Sequence, residues 1–188
     1  SVDLYVKREL VEGPNTVTYS VVINCWSKSN RPEAPQRSLT ILKTMISQYK
    51  ENGNKNIRPN TITYNSVIDA HARQGDAEGA NKVFNMMKED FDSWNNSAKP
   101  NVQAYNVLIG AWSKSKNPNA PKEAELLLKE MIELYNKQEL DQGPNTITYS
   151  AVINCWSKSN RPEAPQRALD ILKTSISLYK ETGNKNIR

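Results

Sequence analysis

Three columns of side chains recur through this chain at intervals of 45, 41 and 44 residues. The first is Asn15, Asn60, Asn101 and Asn145, each directly after a proline; the second, five positions on, is Ser20, Asn65, Asn106 and Ser150; the third is Lys28, Arg73, Lys114 and Lys158. Small uncharged amides and hydroxyls donate and accept directional hydrogen bonds. One cation per interval on a common face suits contact with phosphates. Such groups recognise a ligand; they do not make or break bonds. The sequence contains no CxxC pair, no HxE element, no Gly-rich phosphate loop and no nucleophile set beside a base. His71 is the only histidine and has no second one to pair with as a metal ligand. A catalytic residue, a metal and a cofactor are therefore not expected in this chain. The bland reading of the polar columns is also plain: Asn and Ser near a helix start usually cap it, and a lone lysine is usually just solvated.

The elements that must position these columns are read from internal repetition. Four segments align, GPNTVTYSVVINCWSKSN from Gly13, RPNTITYNSVIDAHARQG from Arg58, KPNVQAYNVLIGAWSKSK from Lys99 and GPNTITYSAVINCWSKSN from Gly143. In each, a proline and a capping Asn precede a helical pattern; Tyr19, Val22, Ile23 and Trp26 show the spacing in the first copy. This predicts a helix A of about 15 residues. A Pro-rich turn, NRPEAPQ, breaks the pattern, and Leu39, Leu42, Met45, Ile46 and Tyr49 then mark an amphipathic helix B ending near Gly53. One such hairpin cannot bury its apolar faces alone, so neighbours must stack on a continuous core.

The expected fold is all-α, a right-handed superhelical solenoid of stacked antiparallel helix pairs. Residues 1–15 are read as the end of a truncated repeat, followed by repeats at 16–60, 61–101, 102–145 and 146–188. A 130-residue period is superimposed, since residues 13–58 match residues 143–188 at all but seven positions, among them Val17/Ile147 and Gln48/Leu178. The chain is accordingly expected to be a piece of a longer array, with further repeats beyond both ends.

Composition fits this reading without deciding it. The chain is 37% hydrophobic and 24% charged, and a net charge of +5 is compatible with binding a polyanion. No apolar run approaches the roughly 20 residues of a membrane span, so no membrane partner is expected. Cys25 and Cys155 hold equivalent positions several hairpins apart, too far for a disulfide, and are expected as reduced, buried thiols of an intracellular protein. Trp26, Trp112 and Trp156, with His71 in their column, are expected to pack between helices.

The run Pro-Asn-Thr-x-Thr-Tyr-[Ser/Asn]-x-x-Ile, with Lys or Arg nine residues after the Tyr and an Ala-x-x-x-Phe/Leu-x-x-Met helix B, resembles the pentatricopeptide repeat. Pro59 to Ile68 with Arg73, Ala80, Phe84 and Met87 is an example. The usual repeat of that family is 35 residues. Copies one, three and four hold three extra residues in the A-to-B turn, and six or seven more follow helix B, which would lengthen that helix by roughly 10 Å.

The resemblance implies single-stranded RNA as partner, one base per repeat. It makes each reading pair the residue after the helix A Tyr and the residue after the next proline: Ser20 with Asn60, Asn65 with Asn101, and Asn106 with Asn145. Ser150 would await a partner after Arg188, and Asn15 would have lost its own. Ser with Asn resembles an adenine reader and Asn with Asn a pyrimidine reader, giving 5′-A-Y-Y-A-3′ with cytosine and uracil left open. Val17, Ile62, Gln103 and Ile147 correspond to the side chains that sandwich each base, and Lys28, Arg73, Lys114 and Lys158 to phosphate contacts. The resemblance further implies a mitochondrial or plastid protein acting in RNA stability, processing or translation. The competing reading is a protein-interaction solenoid within a large assembly, using its outer face or extended B helices.

Overall fold

The computed structural model describes residues 13–182. Residues 1–12, most of the truncated repeat read at 1–15, and residues 183–188 at the end of the fourth repeat lie outside them. Among the described residues eight α-helices follow one another: α1 (Thr16–Lys28), α2 (Ala34–Asn52), α3 (Thr61–Arg73), α4 (Ala77–Ser93), α5 (Val102–Lys114), α6 (Ala120–Asn136), α7 (Thr146–Ser157) and α8 (Ala164–Thr182). Among the described residues there is no strand, and no helix is long and apolar enough to cross a membrane.

Each odd helix starts where an Asn side chain accepts a hydrogen bond from a backbone N–H of the first turn, satisfying one of the donors a helix start leaves orphaned. The first even helix begins at Ala34, inside the stretch read as turn, because Pro35 in its first turn has no N–H to lose and a φ already suited to a helix. It stops at Gly53, whose left-handed φ of 61° suits a residue without Cβ. The residues in excess of a short repeat do not all extend helix B. Part of them forms the links 53–60, 94–101 and 137–145, the first two containing a single 3₁₀ turn at Lys55–Ile57 and Asn96–Ala98.

The helices pair as hairpins, and hairpins stack: α1 lies on α3, α3 on α5 and α5 on α7, while each even helix also touches the odd helix that follows it. Successive even helices make no comparable contact with one another. Crowded on one side and spread on the other, the stack is an α-helical solenoid with the A helices on its inner wall. Its core is continuous, running from Ile23, Leu42 and Met45 through Tyr64, Ile68, Phe84 and Met87 to Tyr105, Leu108 and Met131 and on to Tyr149 and Trp156. Trp112, Trp156 and His71 are buried between helices as expected, and Trp26 is half-buried with the Arg37 guanidinium 6.0 Å from its ring centre.

A tyrosine hydroxyl ties helix A to helix B within each of the first three hairpins. Tyr19 donates to Gln48 (2.8 Å), Tyr64 to Asp90, and Tyr105 to Glu130 (2.8 Å). Burial, and after it the adjoining carboxylate, pushes the Tyr64 and Tyr105 phenols far above their ordinary range. In the fourth hairpin Leu178 replaces the residue equivalent to Gln48, and the buried Tyr149 hydroxyl has no partner among the described residues. Burial alone moves its pKa up to about 12. Removing the two hydroxyls should therefore have opposite consequences. Tyr64→Phe is expected to cost about 1.5–3 kcal/mol in urea denaturation, the range for a hydrogen bond to a charged group. Tyr149→Phe is expected to change stability by less than about 0.5 kcal/mol or to raise it, since it deletes an unpaired buried group. Equal losses in the two variants would contradict this assignment.

One expectation fails at the first hairpin. Cys155 is 4% exposed, but Cys25 is exposed. The helix that covers Cys155 is α5; no helix among the described residues lies on the corresponding face of α1, where Val22 is 43% exposed while its equivalent Val152 is fully buried.

Candidate nucleic-acid interface

The second residue of every reading pair turns out to be a cap. Asn15, Asn60, Asn101 and Asn145 direct Oδ1 to the backbone N–H of Thr18, Thr63, Ala104 and Thr148 at 3.0–3.1 Å. Capping and reading are not exclusive here. The cap holds the carbonyl end of the amide and leaves the Nδ2 of Asn60, Asn101 and Asn145 without a hydrogen bond among the described residues. A capped Asn at this position is thus a fixed donor of hydrogen bonds.

The first residues of the pairs sit beside their partners. Asn65 Nδ2 donates to Asn101 Oδ1 at 3.2 Å. Ser20 Oγ lies 2.8 Å from Thr63 Oγ1, which in turn donates to Asn60 Oδ1 at 3.0 Å. Thr148 Oγ1 is 2.6 Å from Asn106 Oδ1 and 3.2 Å from Asn145 Oδ1. The three complete pairs therefore each form one connected polar cluster between successive A helices, and Ser150 is exposed on α7. Thr63 and Thr148 were not singled out as site residues. Their signal is present in sequence as a hydroxyl two positions after the residue that follows the capping Asn, replaced by Ala104 in the third repeat.

The sandwiching column is exposed as no core column is. Val17, Ile62 and Ile147 are 68%, 66% and 69% accessible, and Gln103 is exposed beside them. Branched aliphatics on an inner wall, about two-thirds accessible, form apolar shelves between the polar clusters. A concavity of about 560 Å³ brings Val17, Ile62 and Gln103 together with Ser20, Asn60 and Asn65 and, at one edge, with Lys28 and Arg73. A neighbouring one of about 770 Å³ joins Ile62, Gln103, Asn101, Asn106 and Asn145. The two share Ile62, Gln103 and Val107 and run as one groove along α1, α3, α5 and the start of α7.

The cation column is less uniform than its sequence spacing. Lys28 and Lys114 are exposed and make no ion pair among the described residues. Arg73 is held by Asp69 one turn earlier at 2.7 Å, an acid that also lines the groove and accepts from Ser27. Lys158 donates to the Ser113 carbonyl at 3.3 Å. Conversely, Lys99, just before the Pro100 turn, lines the larger concavity and escaped the periodic reading. The comparable Arg58 is turned away, donating to Asn96 at 3.0 Å with its guanidinium over Tyr49.

Residues 49–115, from the last turn of α2 to the end of α5, match a family model described as the pentatricopeptide repeat domain. The chain carries a pentatricopeptide repeat domain. No curated protein matches the chain. The pentatricopeptide repeat is a helical repeat with a general RNA-binding role. The matched segment contains the Asn65–Asn101 cluster, Ile62, Gln103, Arg73 and Lys114, and the hairpins on either side of it continue the same columns in register. No cluster of metal-ligating side chains occurs among the described residues.

Proposed function

We propose that this pentatricopeptide solenoid binds single-stranded RNA one base per repeat, in the order 5′-A-Y-Y-A-3′, with the pairs and shelves named above as its reading surface. The observation that carries the reading is the groove itself, where exposed aliphatic shelves alternate with polar clusters at the spacing of the A helices. An unpaired base offers two apolar faces and one polar edge, and this alternation is complementary to it. Lys28 and Lys99, which line the groove, and the exposed Lys114 at the end of α5 supply charge for the phosphates. The biological setting we infer is the stability, processing or translation of a mitochondrial or plastid transcript.

The experiment is a titration of labelled 5′-A-Y-Y-A-3′ repeats against shuffled and purine-only oligomers at several salt concentrations. Preference for the first set is expected, with binding that weakens as salt rises. These three lysines at about 0.7 each give a slope of log affinity against log salt near −2. Equal affinity for all oligomers would remove the reading of sequence, and a slope near zero would remove the phosphate contacts. No RNA binding at all, with a partner protein captured instead, would leave the scaffold reading in its place.

A further inference from the structure

Two repeats carry Asn at both reading positions, and by residue type they should behave alike. Their hydrogen bonds differ. At the second repeat's pair the backbone N–H of Ala104, on the helix that follows, fixes Asn101 with its Oδ1 turned inward (3.0 Å), so the atom facing Asn65 is an acceptor. Asn65 answers with Nδ2 at 3.2 Å. Its own Oδ1 is then buried and unpartnered, on a side chain only 7% exposed that lines the groove. A buried carbonyl without a donor is unfavourable, and an N–H from a ligand would satisfy it.

At the third repeat's pair the place of Ala104 is taken by Thr148. The hydroxyl of Thr148 accepts from the Asn145 N–H at 3.1 Å, which orients it. It stands 2.6 Å from Asn106 Oδ1, a length that belongs to O–H···O rather than to N–H···O. Thr148 is therefore the donor, the Asn106 carbonyl is occupied, and Asn106 Nδ2 has no partner among the described residues. Thr63 occupies the same place at the first repeat's pair and holds Ser20 at 2.8 Å.

We propose that the third residue of each A helix, Thr63, Ala104 or Thr148, is a specificity determinant that sets which atom the preceding repeat's reading side chain offers to a base. Thr148 makes Asn106 a donor; Ala104 leaves Asn65 an acceptor. The proposal rests on the base-reading function above and sharpens it. Asn106 and Asn145 together present two N–H groups, which suit the adjacent acceptors N3 and O2 of cytosine and oppose the N3–H of uracil. Asn65 and Asn101 present one acceptor and one donor, a pairing that both pyrimidines can meet. The target becomes 5′-A-Y-C-A-3′.

The test titrates the whole chain with four labelled RNAs bearing cytosine or uracil at the second and third positions. Uracil at the third position is expected to weaken binding about tenfold, and at the second less than about threefold. Thr148→Ala should erase the third-position preference, Thr148→Ser should retain it, and Ala104→Thr should create one at the second position. Equal cytosine-to-uracil ratios at both positions, or a ratio unmoved by Thr148→Ala, would overturn the proposal. Side-chain amide hydrogen exchange in the RNA-free chain gives a second readout that does not depend on base reading. The Asn65 NH₂ is expected to be protected and the Asn106 NH₂ to exchange freely, with Asn65 losing protection in Ala104→Thr. The reverse pattern overturns the proposal. The expected pattern, accompanied by indifference to every base including the flanking adenines, places the failure in the base-reading function and not in the polarity of the amides.

Discussion

Replacing Val17, Ile62 and Ile147 together by Ser should reduce affinity for 5′-A-Y-Y-A-3′ RNA by about 100-fold or more, from about 1 kcal/mol of base stacking lost at each of three shelves. Stability should hardly change. All three side chains are about two-thirds accessible, so their removal uncovers no core, and surface changes of this kind stay within about 0.5 kcal/mol each. Ser, Val and Ile also have similar helix propensities, and no charge is altered, so a loss of binding reports the shelves rather than folding or electrostatics. Filter binding of the triple variant beside a thermal melt checks the claim. Unchanged affinity would show that nothing stacks on this column.

The second large effect is expected inside the stack. Phe84 on α4 is fully buried, and its ring meets that of Tyr105 on the next A helix edge to face, with centroids 4.8 Å apart and planes at 71°. It therefore joins two hairpins as well as filling one. Phe84→Ala should cost about 3–5 kcal/mol through lost apolar contact and an unfilled cavity. For a chain of this size that corresponds to a melting temperature lower by roughly 10 °C. Because stability in a solenoid is held by contacts between neighbouring repeats, the variant is also expected to melt less cooperatively, the halves on either side of the break separating. A loss below about 1 kcal/mol would mean that this junction does not hold the stack together.

Much of this architecture is legible along the chain because its causes are local. The Asn caps lie three residues from the N–H groups they serve, and the apolar spacing of Leu42 and Met45 or of Ile68 and Tyr64 needs only the helical period to place them inward. The exposure of Val17, Ile62 and Ile147 is also readable, though only once their column is set beside the buried one: a branched aliphatic recurring outside the core pattern is covered by nothing the repeat itself provides.

Other features depend on which side chain stands opposite, on the same helix or on a neighbouring one. Arg73 shares its column with Lys28, yet Asp69 captures it, where the first repeat has Asn24 and the third Gly110. Cys25 and Cys155 share a position and differ in burial because, among the described residues, only Cys155 has a helix laid over it. Tyr149 keeps the tyrosine of its column and lacks the partner that Gln48 gives Tyr19.

The sequence alone determined the hairpins, their repetition and the side-chain types that line the inner wall, since helix period and capping act within a few residues. Tertiary structure alone decided which end of each reading amide is free and which repeat positions lie uncovered. The hydrogen bond of an amide is directional and satisfied by whatever atom stands opposite. In a stack of hairpins that atom belongs to the next repeat.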